Sequence, residues 1–207
     1  MSNKWIACLL AGFCLWAFVG SANYFLTKNH QQKVYTYSVP VVIPEVTVKQ
    51  IKIDVDEMHC LAKNIYFEAR GESIEGKIAV ANVTMNRVDS RIYPNSLCKV
   101  VYQAKHSKWW MESKGKLVPI RNQCQFSWYC DGKSDRLYLT TSSGTVIKDN
   151  MNAWLDSIHV AEEAIRGNLD DITQGSTHYH ADYVKPHWSM HYTPVTKIGA
   201  HIFYTSL

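Results

Sequence analysis

The stretch WIACLLAGFCLWAFVGSANYFL, Trp5 to Leu26, runs for 22 residues without a charge. A helix needs about 20 such residues to cross the hydrocarbon core of a bilayer. The run is apolar all round, whereas a helix packed on a soluble core keeps a polar face. It therefore reads as a membrane anchor or an export signal. Gly20-Ser21-Ala22 would suit a signal peptidase. Tyr24, Phe25 and Leu26 prolong the apolar stretch beyond that point, which favours an uncleaved anchor over residues 5–26. Lys4 and Lys28 flank both ends, so charge does not orient the segment. Either reading sends the rest of the chain out of the cytoplasm.

Export decides how the cysteines are read. Cys8 and Cys14 lie in the apolar run, and Cys60, Cys98, Cys124 and Cys130 lie in the body. Four body cysteines in an oxidising compartment imply two disulfides, with three possible connectivities. A zinc site is the competing use, but the spacing contains no C-x-x-C pair. Twenty-two Lys and Arg stand against 18 Asp and Glu, a net charge of +4. That mild excess has no basic runs, so nucleic acid is not an expected partner. It suits an anionic polymer.

The chain divides into an anchor or signal (residues 1–29), an extended linker interrupted by Pro40 and Pro44 (30–53), and a body (54–207). Asp54 or Asp56 is the expected N-cap of a helix whose buried face is Met58, Leu61, Ala62, Ile65 and Ala69, with Gly71 as its stop. A second helix is expected over Ser73–Val88, with Ile74, Ile78, Ala81, Met85 and Val88 inward. A turn at Tyr93–Ser96 leads to a short helix, Leu97–Gln103. Residues 104–123 read as irregular, with Trp109 and Trp110 exposed or in a groove. Asn150 should cap a helix burying Met151, Trp154, Leu155, Ile158, Ala161 and Ile165, closed by Gly167. The tail reads as short strands, the last being KIGAHIFY with a bend at Gly199. The sum is an α+β domain, helix-rich with a small antiparallel β element.

Glu68 stands on the border of the first helix's apolar stripe, three residues after Ile65. A carboxyl there loses part of its hydration, which raises its pKa, and the negative end of the helix adds to that. An acid that stays protonated near neutral pH is what glycosidic cleavage requires. The ordinary explanation is a helix-end carboxylate paired with Arg70 or Lys63. Glu72, beyond Gly71, reads as a supporting residue. His178, His180, His187 and His191 lie in THYHADYVKPHWSMH, and an H-x-H pair on a strand would put two imidazoles on one face, suited to a metal. The abundant aromatics, Trp128 beside Gln125 and Ser127 among them, have the mixed character of a sugar-binding surface.

Five ordered stretches carry a resemblance: AKNIYFEARGE, EGKIAVANVTMNRV, YPNSLCKVVYQ, CQFSWYCDG and THYHAD. Residues 58–206 resemble the cell wall hydrolase family typified by the spore cortex-lytic enzyme. The resemblance implies a lysozyme-like or lytic-transglycosylase-like fold that cleaves peptidoglycan between N-acetylmuramic acid and N-acetylglucosamine. It implies Glu68 as catalytic acid and Gln125, Ser127, Trp128, Thr177, His178 and Tyr179 as substrate-binding residues; Arg70 and Glu72 are expected in support, and no cofactor or metal is expected. The body cysteines and the anchor depart from the spore pattern and suggest a periplasm-facing or phage-encoded protein. The competing expectations are a metal-dependent amidase or peptidase using the tail histidines, and a wall-binding module without chemistry.

Overall fold

The computed structural model describes residues 52–205. The expected anchor over residues 5–26 and nearly all of the linker lie outside them. Among the described residues no helix is long and apolar enough to cross a membrane.

Helix α1 (Val55–Ala69) is the centre of the domain, packed against α5 (Lys148–Arg166), α2 (Ile74–Asp89) and α3 (Leu97–Val101). Its N-cap is Asp54, whose carboxylate accepts from the backbone N–H of Asp56 at 3.0 Å and Glu57 at 3.3 Å. The cap satisfies two of the helix's free donors. Leu61, Ala62, Ile65 and Ala69 are buried as expected, Met58 is half-buried, and Asn64 and Tyr66 are buried as well. Three helical neighbours, rather than one, cover α1 on more than a single stripe. Its last residue is Ala69 and its C-cap is Arg70 in ordinary helical geometry, with the expected stop Gly71 directly beyond.

Of the expected inward face of α2, Ala81 is buried and Ile78, Met85 and Val88 pack against the core, and the helix buries a second face besides. Ile74 is exposed, while Ala79, Val80, Val83, Thr84 and even Arg87 are buried. Its expected stripe assumed one neighbour. In fact Val80 and Ala81 join the core of α1 and α5, and Ala79 and Val83 close on Phe203 of a sheet. In α5, Ile147 rather than Asn150 is the N-cap, and Asn150 donates instead to the Tyr138 carbonyl at 2.8 Å. Leu155 is exposed, and Gly167 closes α5 at φ +74°.

The stretch expected to be irregular carries β1 (Ala104–His106), α4 (Lys108–Lys114) and β2 (Pro119–Cys124), with β1 and β2 antiparallel. Helix α4 buries no residue, and Trp109 and Trp110 are exposed. Two small sheets therefore replace the single β element. The second, in the order β3-β5-β4, is formed by β3 (His178–Ala181), β4 (Thr193–Ile198) and β5 (His201–Thr205), all antiparallel. The expected strand with a bend at Gly199 is a hairpin, reversed there at φ +56°. Disulfides join Cys60 to Cys98, tying α1 to α3, and Cys124 to Cys130, closing a short loop.

Candidate active site around Glu68

Glu68 sits one residue before the end of α1, where the helix meets β3 and the turn after β2. The residue keeps part of its surface accessible, but its carboxyl is enclosed by protein. The Tyr179 hydroxyl of β3 donates to Glu68 Oε2 at 3.0 Å. The backbone N–H of Ser127 lies close enough to the carboxyl to favour its ionised form. Burial is the largest influence and lifts the Glu68 pKa above its ordinary value. Tyr179, the positive field of Arg87 and the Ser127 N–H pull the other way without cancelling it. Among the described residues neither Arg70 nor Lys63 forms an ion pair with Glu68. Lys63 Nζ instead lies 5.3 Å from the Trp128 ring centre and Arg70 lies 5.9 Å from that of Tyr66.

Tyr179 is held by its ring, 5.2 Å from His201 and 5.5 Å from Phe203. Its own pKa is pushed well up by burial and by the adjacent Glu68, so the phenol remains a donor. Beneath it lies Arg87 of α2, which sequence reasoning did not single out. Arg87 Nε donates to the Thr177 carbonyl at 2.8 Å, and the guanidinium packs 4.6 Å from the Phe126 ring centre and 5.4 Å from that of Tyr93. It is a buried cation held by a carbonyl and two aromatic faces.

Trp128 is fixed just as firmly. Its indole N–H donates to Asn64 Oδ1 at 2.9 Å, Asn64 Nδ2 donates to Thr84 Oγ1 at 3.1 Å, and Thr84 donates to the Val80 carbonyl at 2.9 Å. The ring stacks on Phe67 at 4.8 Å and 22°. This chain runs through α1, α2 and the turn carrying Ser127, and it is fully satisfied as buried polar networks must be. Phe67 and Trp128 also line an open pocket of about 460 Å³, and each is the chain neighbour of a residue at the acid's site. Gln125 and Ser127 are exposed, and the Gln125 backbone N–H is bound to the Gln103 carbonyl at 2.9 Å. Thr177 is buried, so its contribution is structural support through the Arg87 contact. His178 is half-buried between Tyr192 and Trp188, with Tyr93 and Thr177 at its two ring nitrogens, 3.5 and 3.0 Å away.

Glu72 serves the architecture. Its Oε2 accepts from the Ala200 backbone N–H at 3.2 Å, and its side chain passes against Gly76 and Gly199. A methyl group at Gly199 would collide with that carboxylate. Glu72 thus ties the α1–α2 corner to the β4–β5 hairpin. Of the tail histidines, His178 and His180 are hydrogen-bonded, while His187 and His191 lie ring to ring at 5.4 Å. His180 uses Nε2 with the Tyr204 hydroxyl at 2.8 Å and Nδ1 with the Ala181 carbonyl at 2.9 Å, so no ring nitrogen is left for a ligand. Among the described residues no group of three or more His, Cys, Asp or Glu is placed to hold a metal.

The chain is similar to spore cortex-lytic enzymes. That of Bacillus subtilis (strain 168) is 42% identical over 48 residues, 23% of this chain and 16% of the relative. That of Bacillus cereus is 24% identical over 150 residues, 72% of this chain and 44% of the relative. The matched parts thus span less than half of these relatives' length. The crystal structure of the catalytic domain of the Bacillus cereus SleB protein aligns over 75% of this chain and 94% of its own, at 23% identity and a TM-score of 0.43. The family model described as Cell Wall Hydrolase matches residues 71–204, from just beyond Glu68 to the last strand. That span is well over half of the chain, and the chain belongs to the cell wall hydrolase family.

Proposed function

We propose that the protein cleaves the glycan strand of peptidoglycan between N-acetylmuramic acid and N-acetylglucosamine, as a lytic transglycosylase with Glu68 as its one catalytic acid. The observation that carries this is the enclosed Glu68 carboxyl, its pKa raised by burial and its orientation set by the Tyr179 hydroxyl. The protonated acid gives its proton to the glycosidic oxygen as the bond to the muramyl C1 breaks. Tyr179 and the Ser127 N–H then stabilise the carboxylate left behind. The substrate's acetamido group meets the positive charge growing at C1. Glu68 next takes the proton of the muramyl 6-hydroxyl as that oxygen attacks C1, which closes a 1,6-anhydro ring and returns the acid to its starting state.

Two carboxyls that could serve a two-carboxylate hydrolase are engaged elsewhere: Glu72 bonds to the hairpin and Asp182 pairs with Lys197 at 2.7 Å, which favours the single-acid route over a muramidase. The engagement of His180 and His178 favours it over a metal-dependent amidase. The uncharged run of residues 5–26 would hold the enzyme at the membrane, acting on wall nearby. Digestion of sacculi in ¹⁸O-water tests the chemistry. Anhydro-muropeptides without ¹⁸O are expected. Reducing muramyl ends carrying ¹⁸O would replace the transglycosylase with a hydrolase.

A further inference from the structure

The pocket lined by Phe67 and Trp128 is charged in a way that glycan chemistry alone does not use. Its far side is the loop from Asp131 to Arg136, turned at Gly132 with φ +86°. Arg70, Lys133 and Arg136 bring three cations to it, and Asp131 and Asp135 bring two anions. Among the described residues Arg70 and Arg136 pair with no carboxylate. Lys133 reaches Asp131 only at 3.8 Å, with its side chain 85% exposed. Such a contact contributes little and is readily exchanged for a ligand. Asp135 is half-buried, with Lys63 nearby as its opposing charge.

Given the glycosidic function proposed above, the substrate's own geometry places something here. The muramyl sugar bears its stem peptide on the lactyl ether at C3, and the bond that breaks leaves C1 of the same ring. The stem therefore starts within one sugar ring of the atom that Glu68 protonates. It carries carboxylates along its length and, where its third residue is a diamino acid, an ammonium. The sugar rings are uncharged. Phe67 and Trp128 link the two regions, because each lines the pocket and each adjoins in sequence a residue of the acid's site, Glu68 and Ser127.

We infer that this pocket is a subsite for the stem peptide, its cations binding the peptide carboxylates and its aspartates facing the ammonium. The substrate class is thus a peptide-bearing strand rather than a bare glycan. Glycan strands bearing uncrosslinked stem peptides, and the same strands stripped of them by an amidase, supply the test with the full-length protein in detergent. Cleavage is followed by chromatography of new chain ends, and melting curves confirm that each variant is folded. The wild type is expected to favour the peptide-bearing strands by about tenfold or more in kcat/KM, equivalent to about 1.4 kcal/mol. The double variant Lys133→Ala, Arg136→Ala should bring the two substrates close to parity, chiefly through KM. Arg136→Glu should lower cleavage of peptide-bearing strands further. Equal wild-type rates on both substrates overturn the subsite, as does a loss in the double variant that is the same on both. If the wild type cleaves neither strand but releases free peptide from sacculi, the glycosidic function itself falls.

Discussion

Tyr179→Phe isolates what one hydrogen bond does for the acid. The substitution removes only the hydroxyl that donates to Glu68 at 3.0 Å, while the ring keeps its contacts with His201 and Phe203. A hydrogen bond to a charged group contributes roughly 1.5–3 kcal/mol. It acts on the carboxylate formed when Glu68 gives up its proton, so losing it raises that step's barrier by up to that amount. Each 1.36 kcal/mol is a factor of ten, so the maximal rate should fall by roughly 10- to 100-fold. The pH effect has the opposite sense. Tyr179 stabilises the ionised form and burial disfavours it. Without the hydroxyl the carboxyl holds its proton more tightly, and the alkaline limb of kcat/KM moves to higher pH. A variant that is slower at its optimum yet active further into the alkaline range is the expected signature. Release of soluble muropeptides from sacculi between pH 4 and 10, with melting curves in parallel, measures both. An unmoved alkaline limb in a folded variant would refute the reasoning.

Three further predictions concern stability. Replacing Cys60 and Cys98 by Ala opens a loop with a sequence separation of 38, and the chain-entropy model gives a loss of about 4 kcal/mol. Tm should drop by about 8–16 °C in a thermal melt, and by roughly half as much when Cys124 and Cys130, six residues apart, are replaced. Trp128→Phe strands the buried Asn64 carbonyl and leaves a void, and should cost about 3–5 kcal/mol in chemical denaturation. Gly199→Ala meets both a positive φ and the Glu72 carboxylate, and should cost about 2 kcal/mol or more. Adding Glu72→Ala should restore part of that loss, so a double-mutant cycle showing strict additivity would contradict the contact.

The central helix was legible because its signals are local. Asp54 as cap and the spacing of Leu61, Ala62, Ile65 and Ala69 need no knowledge of partners, and they put Glu68 on the border of a buried face. One face of α2 was legible in Ile78, Ala81, Met85 and Val88, but the second was not, since the neighbour that buries Ala79 and Val83 is Phe203, more than a hundred residues away. Arg87 was passed over for a related reason. Helical periodicity treats a charge as solvated, whereas this one is buried against Phe126, Tyr93 and the Thr177 carbonyl. Its place four residues after Val83 and three after Thr84 is the one signal the sequence offers. The lobe from β1 to β2 stayed hidden because its helix buries nothing, so no apolar period marks it. Two stretches named from the resemblance, Gln125–Trp128 and Thr177–Tyr179, converge on Glu68, but through Ser127, Trp128's neighbour Phe67, and Tyr179. Thr177 and His178 lie behind them, in contacts that only the tertiary structure supplies.

The central claim is that Glu68 supplies the proton, and Glu68→Gln tests it most directly. The amide keeps the shape of the acid and removes its proton, and general acid catalysis is typically worth 10²–10⁴-fold. Purified sacculi incubated with equal amounts of wild-type and Glu68→Gln protein, with products resolved by mass, should show release lowered by at least about a hundredfold in a variant that melts no earlier than the wild type. Release within a few-fold of the wild type would mean that another group carries the proton.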